Sequence, residues 1–191
     1  MADIAQIFRL FVHLVFFIST IQAQSFSNTP SIQLRDTIPA ECSNPPLRSC
    51  AFYLDCLENR DYNCGASGYP LAFGQHYCQV FKAAQSTFSP QGQVWLTNTM
   101  HCLQVALVPE ATGQVPKLTC SELYHKAFAT HATCYVDNGF CRLPWSDMLQ
   151  IVKLVRKQLF QNLDAISATI EAVVDCVKCT VTNACPQIAS L

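Results

Sequence analysis

The chain is expected to fold as an all-α, disulfide-rich domain of about six helices. Two observations predict this class. Apolar residues recur three and four positions apart through most of the sequence, and no stretch alternates apolar and polar residues in the manner of a half-buried strand. Twelve cysteines, an even number, all lie downstream of an apolar N-terminal leader, as expected of a chain stapled in an oxidising compartment. No internal repeat is found.

The elements follow in order. Met1 to about Ala23 carries Arg9, then the apolar run Leu10 to Ile18, then Ile21-Gln22-Ala23 with a small residue at the cut. This reads as a secretory signal peptide over residues 1–23, and its apolar run is shorter than the roughly 20 residues that span a bilayer. No later stretch stays uncharged long enough for a membrane span, so a secreted, extracellular chain is expected. Residues 24–41, rich in Ser, Thr, Pro and Gln, form a flexible arm. The stapled helical domain then covers 42–191. From Cys50 to Arg60, Phe52, Tyr53, Cys56 and Leu57 share one helical face, and Asp61 to Pro70 is turn-rich. A second helix runs from about Leu71 to Phe88 with Phe73, Tyr77, Val80, Phe81 and Ala84 on one side. Ser89-Pro90 offers an N-cap and a proline at the first helical position. The third helix it starts carries Val94, Trp95, Met100, Cys102, Leu103 and Leu107. Pro109 to Pro116 is expected to be a loop.

A fourth helix, from about Ser121 to Tyr135, carries Leu123, Tyr124, Ala127, Phe128 and His131, and Asp137-Asn138-Gly139 marks the turn after it. Ser146 is then expected to cap the clearest helix, whose buried stripe would be Met148, Ile151, Val152, Val155 and Leu159, with Gln150, Lys153 and Lys157 opposite. After Gln161-Asn162 a sixth helix repeats the pattern with Leu163, Ile166, Ile170, Val173, Val174 and Val177.

Composition narrows the function classes. About half of the residues are apolar, enough for a core in one domain of about 168 residues once the leader is removed. The formal net charge is −1 and removing Asp3 and Arg9 with the leader leaves it unchanged, so no nucleic-acid partner is expected, for want of a basic stripe. Lys153, Arg156 and Lys157 form a basic run that reads as a solvated helix face. No asparagine begins an Asn-x-Ser/Thr acceptor, so no N-linked glycan is expected.

Twelve cysteines admit roughly ten thousand complete pairings. Helix geometry constrains one pair. Helices of about 15 and 16 residues at 146–160 and 163–178 each measure some 22 to 24 Å at 1.5 Å per residue, and the short turn between them favours an antiparallel hairpin. Cys141, before the first, would then meet Cys176, near the end of the second.

The cysteines stand among these neighbours: Ala51-Phe52 leading to Cys56-Leu57-Glu58-Asn59, then Cys64, and Cys78 with an aromatic helix after it. Further along come Phe88 with Gln91-Gly92, Cys102-Leu103, Cys120, Cys134-Tyr135, Cys141 and Cys176. In these residues the chain resembles the stanniocalcin family of secreted glycoprotein hormones linked to calcium and phosphate homeostasis. The likeness covers roughly 135 residues, from Cys42 to Cys176. It implies the pairs Cys42–Cys56, Cys50–Cys78, Cys64–Cys120, Cys102–Cys134 and Cys141–Cys176. It also implies a homodimer through a further C-terminal cysteine, for which Cys179 and Cys185 are the candidates. Either they close a small loop within the chain, or one of them bridges two chains. Two features depart from the family: Asn59-Arg60-Asp61 breaks the glycan acceptor after Leu57-Glu58, and only six residues follow Cys185 where the vertebrate hormones have a long tail.

Enzymatic readings find less support. His131-Ala132-Thr133-Cys134-Tyr135 resembles the His-Asp-x-Cys-Tyr run of secreted phospholipases A2, in which the aspartate ligates the calcium that stabilises the oxyanion. Here that position is Ala132, and no glycine-rich calcium loop precedes it. Cys176-x-x-Cys179 with Cys185 offers zinc ligands, but an even cysteine count in a secreted chain favours disulfides. A redox role for that pair would need a βαβ context. His125 and His131 are six apart, off the spacing of an i, i+4 ligand pair. Asp137-Asn138-Gly139 is a turn and lacks the ligand series of an EF-hand. No catalytic residue, metal or cofactor is therefore expected.

The expected function is a non-enzymatic, hormone-like protein that binds an extracellular protein or receptor. The alternative is a helical lipid-binding or degenerate phospholipase-like protein, in which Phe73, Tyr77, Phe81, Phe88, Trp95 and Phe128 would line a cavity.

Overall fold

The computed structural model describes residues 37–161 and 163–188. The leader 1–23, the arm up to residue 36, the turn residue Asn162 and residues 189–191 lie outside the described residues, as do the side chains of Leu159, Phe160 and Gln161. The described residues are mostly helical and contain no strand, giving an all-α, disulfide-rich domain.

The helices are α1 (Ala40–Ser43), α2 (Tyr53–Tyr62), α3 (Pro70–Gln75), α4 (His76–Ala84), α5 (Pro90–Val105), α6 (Val108–Ala111), α7 (Cys120–Ala129), α8 (His131–Asp137), α9 (Trp145–Gln161) and α10 (Leu163–Val181). Because α1 starts at Ala40 and Cys42 donates its N–H to the Pro39 carbonyl, the domain begins a little before the expected boundary at 42. Helices α2 and α3 are wound as π-helices, and α3 runs straight into α4. The wide turn of α2 closes on Asn63, whose N–H bonds the Glu58 carbonyl five residues back while its φ of 55° enters the left-handed region. Asparagine tolerates that conformation better than most side chains. Glu58, buried, finishes the turn by accepting the N–H groups of Cys64 and Gly65 at 3.0 and 2.6 Å. Without those donors a buried carboxylate would be strongly unfavourable.

Three expectations on chain path are corrected. The single helix from 121 to 135 is two, α7 and α8, meeting at Thr130. The Thr130 hydroxyl donates to the Ala127 carbonyl at 2.7 Å, a local bond that competes with the helical ladder. Its start is also better defined than the sequence suggests: Thr119 caps α7, accepting from Glu122 N–H, and Glu122 reaches back to the Thr119 N–H. That reciprocal pair satisfies two donors left over at the helix start. Second, the stretch expected as a loop from Pro109 contains the helical turn α6, with Pro109 at its second position. Ser146 also lies inside the first turn of α9, which begins at Trp145.

The core sits between α2, α3–α4, α5, α7 and α9. Trp95, Leu57, Leu96, Leu107 and Leu123 are fully buried there with Phe52, Tyr53, Tyr69 and Phe128. Where two backbones come closest the residue is small. A Cβ on Gly74 would stand 2.3 Å from Tyr53 Cδ1, so only glycine lets α3 lie against the Tyr53 ring.

The C-terminal hairpin departs most from the amphipathic pattern. Along α10 the buried residues are Ala168 and Ala172. Ala172 packs with Ala132 and Val136 of α8, small side chains that let α8 and α10 approach closely. The expected stripe turns outward instead: Leu163 is 83% exposed and Val177 60%, with Ile166, Ile170, Val173 and Val174 also exposed. On α9, Ile151 is buried and Met148 and Val155 half-buried, but Val152 is exposed.

Candidate functional site

The cysteines frame the site. The structure joins Cys42 to Cys56, Cys50 to Cys78, Cys64 to Cys120, Cys102 to Cys134, Cys141 to Cys176, and Cys179 to Cys185. Cys179 and Cys185 close a loop within the chain, which leaves no free thiol for a bridge to a second chain. The last two bridges are neighbours, with the sulfurs of Cys141, Cys179 and Cys185 within 4.8 Å of one another. As disulfides these sulfurs hold no thiolate for zinc. Arg142 fastens the segment after α10 by donating to the carbonyls of Cys185 and Pro186. Bridges, α8–α10 packing and the Arg142 bonds together fix the hairpin's outer end.

Between α3–α4, α8 and this hairpin lies a cavity of about 290 Å³. Its walls are mostly aromatic and aliphatic. Phe73, Tyr77, Phe81 and Phe128 of the aromatic residues singled out in the sequence line it, whereas Phe88 and Trp95 are packed into the core and do not. Tyr53, Tyr69, His131, Tyr135 and Phe140 complete the aromatic wall, and Ala165, Ala168 and Ala172 of α10 line its other side. Trp145, Val152 and Val173, all exposed, also border it, so it opens toward solvent on the α9–α10 side. Among the described lining residues none is charged.

The aromatic wall is a continuous lattice. Phe73 meets Tyr124 and Phe128 edge-on at 5.3 and 5.5 Å, and His131 stacks on Phe128 at 5.1 Å. Such contacts keep the rings in fixed orientations. His131 Nδ1 lies 2.9 Å from the Ala127 carbonyl. A carbonyl only accepts, so Nδ1 carries the proton and Nε2 is the acceptor nitrogen. Burial holds the imidazole pKa below its ordinary value despite the backbone carbonyls that favour the charged ring, because a cation is poorly solvated there. Burial likewise raises Tyr135 to about 12 and holds Tyr53 and Tyr69 above their ordinary values, and the latter two hydroxyls bond to each other. The site therefore presents neutral polar groups across the neutral pH range.

Its chemistry differs from that of a phospholipase A2 centre. Ala132 is buried where the calcium-ligating carboxylate would stand, and His131 is oriented by a backbone carbonyl instead of a carboxylate. His125, exposed on α7 and absent from the cavity lining, pairs with Asp164 of α10 at 3.0 Å. Asp137 is exposed, Asn138 donates to the Cys134 carbonyl and Gly139 has a φ of 93°, which is the geometry of a turn. Of these tyrosines Tyr53 was legible as a helix-face residue, whereas Tyr69 fell in the stretch expected to be turn-rich and Tyr135 at the end of the expected fourth helix; their convergence with His131 appears only in the folded chain. No helix among the described residues is long and apolar enough to cross a membrane.

Comparison with family models, with curated proteins and with solved structures finds no match.

Proposed function

We propose that the chain is a secreted, non-enzymatic, stanniocalcin-like protein that acts by binding an extracellular protein or receptor, with mineral homeostasis as the physiological setting that the resemblance suggests. The observation that carries this reading is the outward apolar stripe of α10, from Leu163 through Ile170 and Val173 to Val177 and Val181. A stripe of that length, held rigid by the Cys141–Cys176 bridge at one end, is costly to leave in water and is typical of an interaction face. Six disulfides fit an oxidising compartment, and the leader fits export.

The test has two parts. N-terminal sequencing of protein recovered from the culture medium is expected to begin at Gln24. Crosslinking of that protein to the surface and secretome of the producing cells is expected to trap a defined partner, and Ile170→Lys with Val177→Lys should abolish the crosslink while all six disulfides still form. Retention of the chain inside the cell, or a crosslink that survives both substitutions, would overturn the reading.

A further inference from the structure

The cavity meets the outward stripe of α10 at Val173, which borders its entrance, but Ile170 and Val177 do not line it, and Ala168 and Ala172 do. Three features of it specify a ligand. Its volume of about 290 Å³ is roughly twice that of an engineered cavity that takes up benzene, so it suits about ten to twelve carbon atoms. Its lining holds no charged side chain among the described residues, so an anion or cation entering it would be buried without a partner, at a cost of several kcal/mol. Its polar groups are neutral: His131 Nε2, an acceptor because Nδ1–H is committed to Ala127, the hydroxyls of Tyr53, Tyr69, Tyr77 and Tyr135, the Gln158 amide, and the Thr169 hydroxyl, which donates to the Ala165 carbonyl.

We propose that this cavity is a binding site for a neutral apolar molecule bearing one hydroxyl group, of the size and class of a medium-chain alcohol, with the hydroxyl donating to His131 Nε2 and the hydrocarbon against Phe73, Phe81 and Phe128. The neutral lining distinguishes it from a fatty-acid site, which would need a cation for the carboxylate. The entrance is bordered by Val152 and Val173, and Trp145 stands beside it. Ala168, buried, forms part of the α10 wall.

The full secreted chain is titrated with N-phenyl-1-naphthylamine, a neutral fluorescent probe, and the bound probe is competed with 1-decanol, decyl methyl ether and, at pH 8, decanoate. One displaceable site per chain is expected. Decanol should displace the probe, decanoate should do so at least tenfold less well, and the ether, which cannot donate, should fall between them. In His131→Phe the advantage of decanol over the ether should vanish. Ala168→Phe fills the cavity from the α10 wall and should abolish probe binding. Val152→Trp obstructs the entrance from an exposed position that tolerates a larger side chain, and should weaken probe binding at least tenfold even if Ala168→Phe fails to fold. Ile170→Lys, on the outward stripe, should leave the probe affinity unchanged. The proposal is overturned by the absence of a displaceable site, by decanoate matching decanol, or by a Val152→Trp protein that binds the probe as the parent does.

Discussion

Asp147, in the first turn of α9, accepts both the hydroxyl and the backbone N–H of Ser89, at 2.5 and 3.0 Å, across a separation of 58 residues. Ser89 is itself the N-cap of α5 and accepts from Gly92 N–H at 3.1 Å. One buried carboxylate thus ties the start of α9 to the start of α5, where the helix dipole favours negative charge. Gly92 makes room for it, since a Cβ there would stand 2.3 Å from Asp147 Oδ2.

Asp147→Ala is therefore expected to lower stability by about 2 kcal/mol, as for loss of hydrogen bonds to a charged group. Gly92→Ala should cost about 1 to 3 kcal/mol through overpacking. Because both act on one contact, the double variant should lose less than the sum. Urea unfolding of the four proteins measures this, and strict additivity would show that the two positions are independent.

Removing bridges should reveal loop length. On the chain-entropy model, loss of Cys64–Cys120 or Cys141–Cys176, with separations of 56 and 35 residues, costs about 4 kcal/mol, and loss of Cys179–Cys185, with a separation of 6, about 2 kcal/mol. Paired Cys→Ser variants followed by thermal unfolding test the order. A larger loss for Cys179–Cys185 would mean that native-state contacts outweigh chain entropy.

Stability should fall at both ends of the pH scale. His131 is held neutral, with its pKa lowered by burial from 6.5. The unfolded chain then takes up the proton first, so stability is fully present above about pH 6.5 and is lost as pH falls through the depressed folded value. Tyr53, Tyr69 and Tyr135 have raised values, from 10.0. Stability is fully present below about pH 10 and declines above it, as the unfolded chain ionises first. In His131→Phe the decline just below pH 6.5 should shrink and the alkaline decline should persist, as read from urea midpoints across pH.

The two tryptophans should differ in fluorescence. Trp95 is 1% exposed and donates to the Tyr135 carbonyl at 3.2 Å, while Trp145 is 71% exposed beside the cavity entrance. Iodide should quench only the Trp145 emission, so Trp145→Phe should leave a blue-shifted signal that iodide does not touch. Equal quenching of both would contradict the placement of Trp95 in the core.

Helical class, the places of most helices and the oxidised state of the cysteines were legible in the sequence, because period, caps and cysteine count are local quantities. Ser89-Pro90 announced α5, and the hairpin geometry brought Cys141 toward Cys176. The Thr119–Glu122 capping box was equally local and marks a signal available but unread. What only the tertiary structure decided is which face of each helix meets the core. The stripe from Leu163 to Val177 has the periodicity of a buried face, yet Ala168 and Ala172 occupy the contact with α8, because close helix approach selects small side chains over large apolar ones. The cavity was likewise beyond local reading. Tyr53, Tyr69, His131 and Ala168 lie far apart in the chain, and a hollow is set by how completely their helices fill the space between them, which no periodicity records.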